Sequence, residues 1–257
     1  METFVLASGS KGNMTYIKTQ NKRFFIDAGI SIKNMISKMN AYGENVREVD
    51  TLFLTHEHLD HISGLKSLLK LGIIRQVILS KGTYDVLNDE IKELIIEKTI
   101  IEPDQPFLFF GLKVTPILLS HDANEPTGFI FEENNKKIVL LTDTGYVDES
   151  YIEVLKGADL YILESNHDPH MLLTSKRPFS LKHRILGEKG HLSNEDAIKV
   201  LNKIVTKKTV WVVAHMSEDC NTILEVEKMI VDKFYNPLLL DVYYASQEAL
   251  PGIKIWE

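Results

Sequence analysis

The chain has one cysteine, Cys220, in 257 residues. That excludes an internal disulfide and the cysteine-rich zinc knuckles alike, so any metal must be held by histidine and carboxylate. Long apolar runs are missing too. Nothing approaches the roughly 18 consecutive apolar residues of a membrane helix, and the start METFVLASGSKGN lacks a charged segment followed by an apolar stretch. These absences lead us to expect a cytoplasmic protein with no membrane partner. An excess of basic charge is also lacking: 36 acidic residues against 29 basic ones leave a net charge of -7. The bulk field therefore repels a polyanion, and a nucleic-acid contact would need a local patch. Low-complexity tracts, short repeats and linker-like stretches are absent, while 44% hydrophobic and 25% charged residues fit an ordinary globular chain. The expectation is one domain over residues 1–257, long enough to bury its own core.

What is present is a series of short apolar runs rich in Val, Ile, Phe and Leu. They are FVLA at 4–7, RFFIDAG at 23–29, TLFLT at 51–55, RQVILS at 75–80 and LFFGLKVTPILLS at 108–120. TGFIFEE at 127–133, KKIVLLTDTG at 136–145, ADLYILES at 158–165 and TVWVVAHMS at 209–217 follow. Their length and bounding turn residues predict strands. Between them, DHISGLKSLLKLG sets Ile62, Leu65, Leu68 and Leu69 on one helical face, and SNEDAIKVLNKIV opens with a Ser-x-x-Asp capping signal. The segment 85–100 reads as one or two surface helices, and Met35, Met39 and the aromatic residues at 107–110 as core. Two successive sets of strands followed by helices predict packed sheets with helices outside.

Four of the apolar strands end in a residue that can bind a metal. TLFLT runs into His56, PILLS into His121, KIVLLT into Asp143 and VWVVA into His215. The carboxyl ends of strands are where a chain leaves its ladder and side chains converge on a cleft. One such histidine means little, but the recurrence is hard to explain by packing. In LTHEHLDH, His56 and His58 are two apart and point the same way on extended chain, while Asp60 and His61 turn toward a neighbouring position. The pattern implies two divalent ions: His56, His58 and His121 on one, Asp60, His61 and His215 on the other, with Asp143 bridging. Zinc, manganese and iron all suit such donors.

Rival motifs fail on spacing. A zincin needs His-Glu-x-x-His, and three residues after Glu57 stands Asp60. His121-Asp122 occurs in a strand-rich chain, whereas HD phosphohydrolases are helical. SGSKGN at 8–13 lacks the ending of a P-loop and reads as a turn between strands.

His56-x-His58-x-Asp60-His61 followed by His121, Asp143 and His215 resembles the metallo-β-lactamase superfamily, which implies an α/β (α+β) fold, a four-layer αββα sandwich. More narrowly, ASGSKGN, FIDAG, SHDANEPTGF, LLTDTG, LESNHD, GHLSNEDA and AHMSEDCN resemble the YycJ/WalJ group, regarded as 5′-to-3′ DNA exonucleases. The likeness runs nearly end to end. The chain departs from the group at Cys220, where an Asn of an Asn-Asn pair usually stands behind the position of His215.

The resemblance implies a phosphodiesterase in which a hydroxide between two metals attacks phosphorus. Asp60 would bind metal and orient that hydroxide. His191, oriented by Glu164, would protonate the departing 3′ oxygen, as in the similar tRNA-maturation nucleases. Asp27 would brace metal-binding histidines from behind, or act as a plain turn residue. The patch at 176–189, where Lys176, Arg177, Lys182, Arg184 and Lys189 face only Glu188, is a candidate DNA contact. Ser10, Asn13, Lys182 and Arg184 would then grip a 5′-phosphorylated DNA end. His167, His170 and His183 read as solvated or orienting loop residues. The alternatives are a hydrolase of the same fold acting on a small ester, thioester or cyclic phosphodiester, and a binding module without activity.

Overall fold

A computed structural model describes residues 1–255. Fourteen strands run in chain order: β1 Glu2–Ala7, β2 Met14–Lys18, β3 Arg23–Ile26, β4 Thr51–Phe53, β5 Gln76–Ser80, β6 Glu97–Ile101 and β7 Phe107–Phe109. They continue as β8 Leu112–Leu118, β9 Thr127–Glu133, β10 Lys136–Leu141, β11 Leu160–Glu164, β12 Thr209–Ala214, β13 Leu240–Tyr244 and β14 Ile253–Lys254. The residues fall into two compact units. One comprises Met1–Leu118, Ala123–Thr127 and Ser246 onward; the other comprises Leu119–Asp122 and Gly128–Ala245.

The first unit carries a mixed sheet of order β14-β1-β2-β3-β4-β5-β6. β1, β2 and β3 form an antiparallel meander, after which β3 to β6 run parallel. The helices Ile32–Ala41 and Leu65–Lys70 bury Met35, Met39, Leu65 and Leu68 against Phe4, Tyr16, Phe25, Leu52 and Val77 of this sheet. On such alternating strands the other face needs its own cover. Phe24 and Phe53 meet Phe109 of the β7–β8 hairpin edge-on, at 5.9 and 5.3 Å between ring centres. Of the aromatics expected in the core here, Phe109 is buried, whereas Phe110 is exposed, with Lys22 over its ring.

The segment 85–100 differs from its helical reading. Helix ends at Leu94, and Glu97–Ile101 is the strand β6, paired in parallel with β5. Thr99, Ile100 and Ile101 are β-branched, which suits a pleated surface better than a helix, and the open edge of β5 supplies the partner.

Within the second unit the strand order is β13-β12-β11-β10-β9. β9 and β10 form an antiparallel hairpin; β10 to β13 run parallel. β11 is buried along its length, and β10 and β12 are buried apart from Lys136, Lys137 and Val210, as expected of parallel strands covered on both faces. The helix Asn194–Ile204 starts where expected: the Ser193 hydroxyl accepts the Asp196 N–H at 3.1 Å, and Ala197, Ile198, Leu201 and Ile204 are buried. Two mixed sheets with flanking helices agree with the α/β class expected. No helix among the described residues is long and apolar enough to cross a membrane.

Candidate metal centre

In the first unit the chain leaves β4 at Phe53 and delivers His56, His58, Asp60 and His61 within one short loop and a single helical turn, Leu59–Ile62. The rings gather closely. His56 and His58 lie 4.6 Å apart between centres, His56 and His61 4.1 Å. Behind them sits Asp27, buried just past β3 with a positive φ of 60°. Its carboxylate accepts the Thr55 N–H at 2.9 Å and contacts the Thr55 hydroxyl through both oxygens. Asp27 Oδ2 also lies 2.7 Å from His61 Nδ1, so Nδ1 carries the proton and Nε2 keeps a lone pair. That is the tautomer a metal needs.

Asn13 closes the same cluster. Its side-chain oxygen accepts the Gly9 N–H at 2.8 Å, and its amide nitrogen reaches Asp60 Oδ2 at 3.2 Å and His61 Nε2 at 3.0 Å. The Asn13 main chain donates to Asp60 O at 2.7 Å and accepts from Gly29 N at 2.8 Å. Only glycine fits at 29, because an added Cβ would sit 1.7 Å from Asp60 O.

In the second unit the side chains come from separate places. The register pairs Leu141 with Leu163 and Glu164 with Ala214, so the carboxyl ends of β10, β11 and β12 lie side by side. Asp143, Glu164 and His215 therefore emerge together, Asp143 and His215 at positive φ of 63° and 51°. For non-glycine residues this conformation is uncommon and concentrates at functional sites. His215 Nε2 is 3.3 Å from Asp143 Oδ1. The His121 ring donates from Nδ1 to Gly190 O at 3.1 Å, again leaving Nε2 as the ligand atom. Burial pushes the His121 imidazole below its ordinary value, against the pull of Asp143, which favours the neutral, metal-binding form.

Glu164 is fully buried, and both its oxygens are hydrogen-bonded. Oε1 accepts the Thr144 N–H at 2.6 Å and the Leu192 N–H at 3.3 Å; Oε2 lies 3.0 Å from His191 Nδ1. His191 stacks on His215 at 5.1 Å, its ring tilted by 15°. His121, Asp143 and His191 offer ligand atoms within 4.8 Å of one another, and so do Glu164, His191 and His215. The donor chemistry in both units fits divalent metal ions: imidazole nitrogens beside buried carboxylates.

The remaining expected residues stand as follows. Ser10 is exposed on the β1–β2 turn, and Asn13 lies beneath Asp60 and His61. Lys182 donates to Leu173 O and Ser175 O at 2.7 Å each, and Arg184 pairs with Asp122, with Nη2 to Oδ1 at 2.9 Å. His170 and His183 are exposed. His167 is not a solvated loop residue. It is 1% exposed, and neither ring nitrogen has a hydrogen-bond partner among the described residues. Burial pushes it down to about 4, although Glu164 pulls the other way.

Contacts of Thr55 and Asn166 to candidate ligands were not legible in the sequence. The Thr55 hydroxyl lies 3.0 Å from His56 Nδ1 and 3.3 Å from His61 Nδ1, joining both rings to Asp27. Asn166 holds His215, its amide donating to His215 O at 2.7 Å and lying 3.3 Å from Nδ1. Residues flanking a strand end are the places to seek such braces, and Thr55 does precede His56.

The sequence model of the Beta-lactamase superfamily domain matches residues 22–216. The chain belongs to the β-lactamase superfamily. It is 38% identical over 238 residues to the exodeoxyribonuclease YycJ of Bacillus anthracis, covering 89% of this chain and 87% of that protein. With the exodeoxyribonuclease WalJ of Streptococcus pneumoniae it shares 34% over 230 residues, 88% and 84% of the two chains. The metallo-β-lactamase fold protein YhfI of Bacillus subtilis superposes with a TM-score of 0.72 over 95% of both chains at 16% identity, a likeness of fold alone. Membership of this superfamily agrees with divalent-metal binding by the histidines and aspartates described above.

Proposed function

We propose that this superfamily member is a metal-dependent phosphodiesterase that removes nucleotides from DNA, 5′ to 3′, starting at a phosphorylated end. One observation carries the reading. The buried Glu164 carboxylate is fixed by two backbone N–H groups and bonded to His191 Nδ1, which leaves His191 Nε2 as the nitrogen that can pass a proton. A departing alkoxide needs such a proton; an assembly dedicated to delivering it suits a phosphodiester with a poor leaving group. The likeness to YycJ and WalJ over most of both chains supports DNA as the substrate.

Two divalent ions, zinc, manganese or iron, fit the resemblance, with His56, His58 and His121 for one, Asp60, His61 and His215 for the other, and Asp143 shared. Bound there, they would supply Lewis acidity toward the phosphoryl oxygens and acidify a water to a nucleophile. The chain supplies the rest. Asp27 and the Gly190 carbonyl hold His61 and His121 as Nε2 ligands. Asp60, tied to Asn13, orients the attacking water, and His191 delivers the proton to the leaving 3′ oxygen. With no linker-like stretch in the sequence, residues 1–257 would act as one hydrolase domain.

The test is manganese-supplemented digestion of single-stranded DNA labelled at its 3′ end and phosphorylated at its 5′ end. We expect progressive shortening by the parent and none by Asp60→Ala. His191→Ala should lose about 100-fold or more in kcat while still holding two metals; loss of a metal would make His191 a ligand instead. Parent protein containing two metals that leaves DNA intact and cleaves a small ester would overturn the exonuclease reading.

A further inference from the structure

We propose that the helix Phe179–Leu186 is a stacking platform for single-stranded DNA, with Phe179 the ring on which a base lies; this rests on the DNA-directed reading above. Phe179 opens the helix and is 81% exposed. The helix does not need it there. The buried face is carried by Ile185, packed with Leu172 and Cys220, and phenylalanine is a mediocre helix former. One turn on, the exposed His183 ring stands 6.3 Å from that of Phe179, tilted by 44°. The two rings present an aromatic surface to solvent.

Charge identifies the occupant. Between 176 and 189 five basic residues face one acidic residue, in a chain whose net charge is -7. Three of the five hold the platform still. Lys182 bonds to Leu173 O and Ser175 O, Arg184 to Asp122, and Arg177 to Ser217 and Asp219. Lys176 and Lys189 are exposed and form no ion pair with the described residues, so they are left for phosphates. Exposed aromatic rings among unpaired cations are what a base-stacking groove for a single strand requires. A second copy of the chain is a poor partner, because two such basic faces repel.

The platform is bolted to His191. The His191 N–H donates to Ile185 O at 3.0 Å and the Gly190 N–H to Gly187 O at 2.8 Å. A Cβ on Gly190 would meet Ile185 O at 2.1 Å, so the tie needs glycine. From Phe179 to Ile185 the helix rises ~9 Å at 1.5 Å per residue. A stacked strand advances ~3.4 Å per nucleotide, so this stretch of helix is about as long as three stacked nucleotides.

The test compares Phe179→Ala and Phe179→Trp with the parent on a 5′-phosphorylated single-stranded 20-mer and on a dinucleotide. We expect the alanine variant to raise KM for the 20-mer about tenfold, with kcat within about twofold, and tryptophan to restore it. The dinucleotide, too short to reach the ring, should show less than about a twofold change. In K176Q/K189Q the slope of log affinity against log salt should fall by about 1.4. An unchanged KM on the 20-mer, an equal rise on both substrates, or a parent dimer that Phe179→Ala dissociates would each overturn the platform. A parent that cleaves only a small diester would sink the exonuclease reading instead. The platform is then judged by anisotropy of the labelled 20-mer, where equal binding to parent and Phe179→Ala overturns it.

Discussion

Each unit of the molecule sets a buried carboxylate against the Nδ1 of an imidazole, and the two do it differently. In the first, Asp27 takes one backbone N–H, from Thr55, and bonds to His61, whose neighbours in the chain are the other candidate ligands. In the second, Glu164 takes backbone N–H groups from Thr144 and Leu192 and bonds to His191. The first arrangement is local: four side chains ride on one loop, and a clamp through Asn13 and Gly29 sets its path. The second is assembled from distant segments by the register of parallel strands. A brace under a local cluster tunes how tightly the cluster holds metal; a brace under a residue brought in alone can serve the chemistry directly.

The largest effect should come from breaking that second brace. Glu164→Gln keeps an oxygen for the Thr144 and Leu192 N–H groups but removes the charge facing His191. We expect kcat to fall about 100- to 10,000-fold, with metal content unchanged. Equal loss of metal and activity would make Glu164 a brace of the Asp27 kind and erase the difference between the units.

His167 sharpens the comparison through pH. In the first unit the His56 and His61 rings are bonded to Thr55 and Asp27; the His167 ring has no such partner among the described residues and is held down to about 4. The unfolded chain, with an ordinary imidazole near 6.5, takes up that proton first as pH falls. It therefore binds more protons than the folded chain between about 6.5 and 4, and folding stability must drop through that window, by up to about 3 kcal/mol. The denaturation midpoint of the parent should thus fall more between pH 7 and 4.5 than that of His167→Asn. Parallel curves for the two proteins would show that His167 meets its proton equally in both states.

Asp27→Asn should be milder than the Glu164 change. The amide can still meet the Thr55 N–H, but His61 loses its anionic partner, and metal affinity should fall about 10- to 100-fold. At saturating metal kcat should return to near the parent value. Persistent loss of kcat would place Asp27 in the chemistry, alongside Glu164.

The same contrast explains what could be read in advance. The stretch from His56 to His61 is legible because its spacing is local, and His121, Asp143 and His215 because each follows an apolar strand. Glu164 and His191 became visible only through resemblance, since neither residue type nor spacing marks them. Asn13 was expected on a substrate phosphate, and what the sequence did not show is that it bonds to Gly9, Asp60 and His61; a polar side chain in a turn has many possible partners, and the fold chooses. Lys182 and Arg184 teach the same point: a basic run counts charges but does not show the carbonyls and the aspartate that they meet in the fold. The parallel strand β6 was hidden by its helical neighbours: its β-branched residues follow closely on the helix Asp89–Leu94, and its partner β5 is distant in the sequence.

The smallest expected effect concerns Cys220, where the resemblance led us to look for an asparagine behind His215. His215 has its brace elsewhere, in Asn166. The Cys220 side chain is buried with Leu172 and Ile185, and its main chain accepts from Asp168 N at 2.9 Å and donates to Ser217 Oγ at 3.2 Å. Cys220→Ala keeps both main-chain bonds and removes one sulfur from an apolar cluster. It should cost about 1 kcal/mol, below the range for a buried leucine cut to alanine, with metal content and turnover within about twofold of the parent. Asn166→Ala, by contrast, takes away the amide on His215 and should weaken metal binding about tenfold. A tenfold loss of metal in Cys220→Ala would mean that the brace of the second unit runs through the apolar cluster, and that its ligands depend on packing as much as on hydrogen bonds.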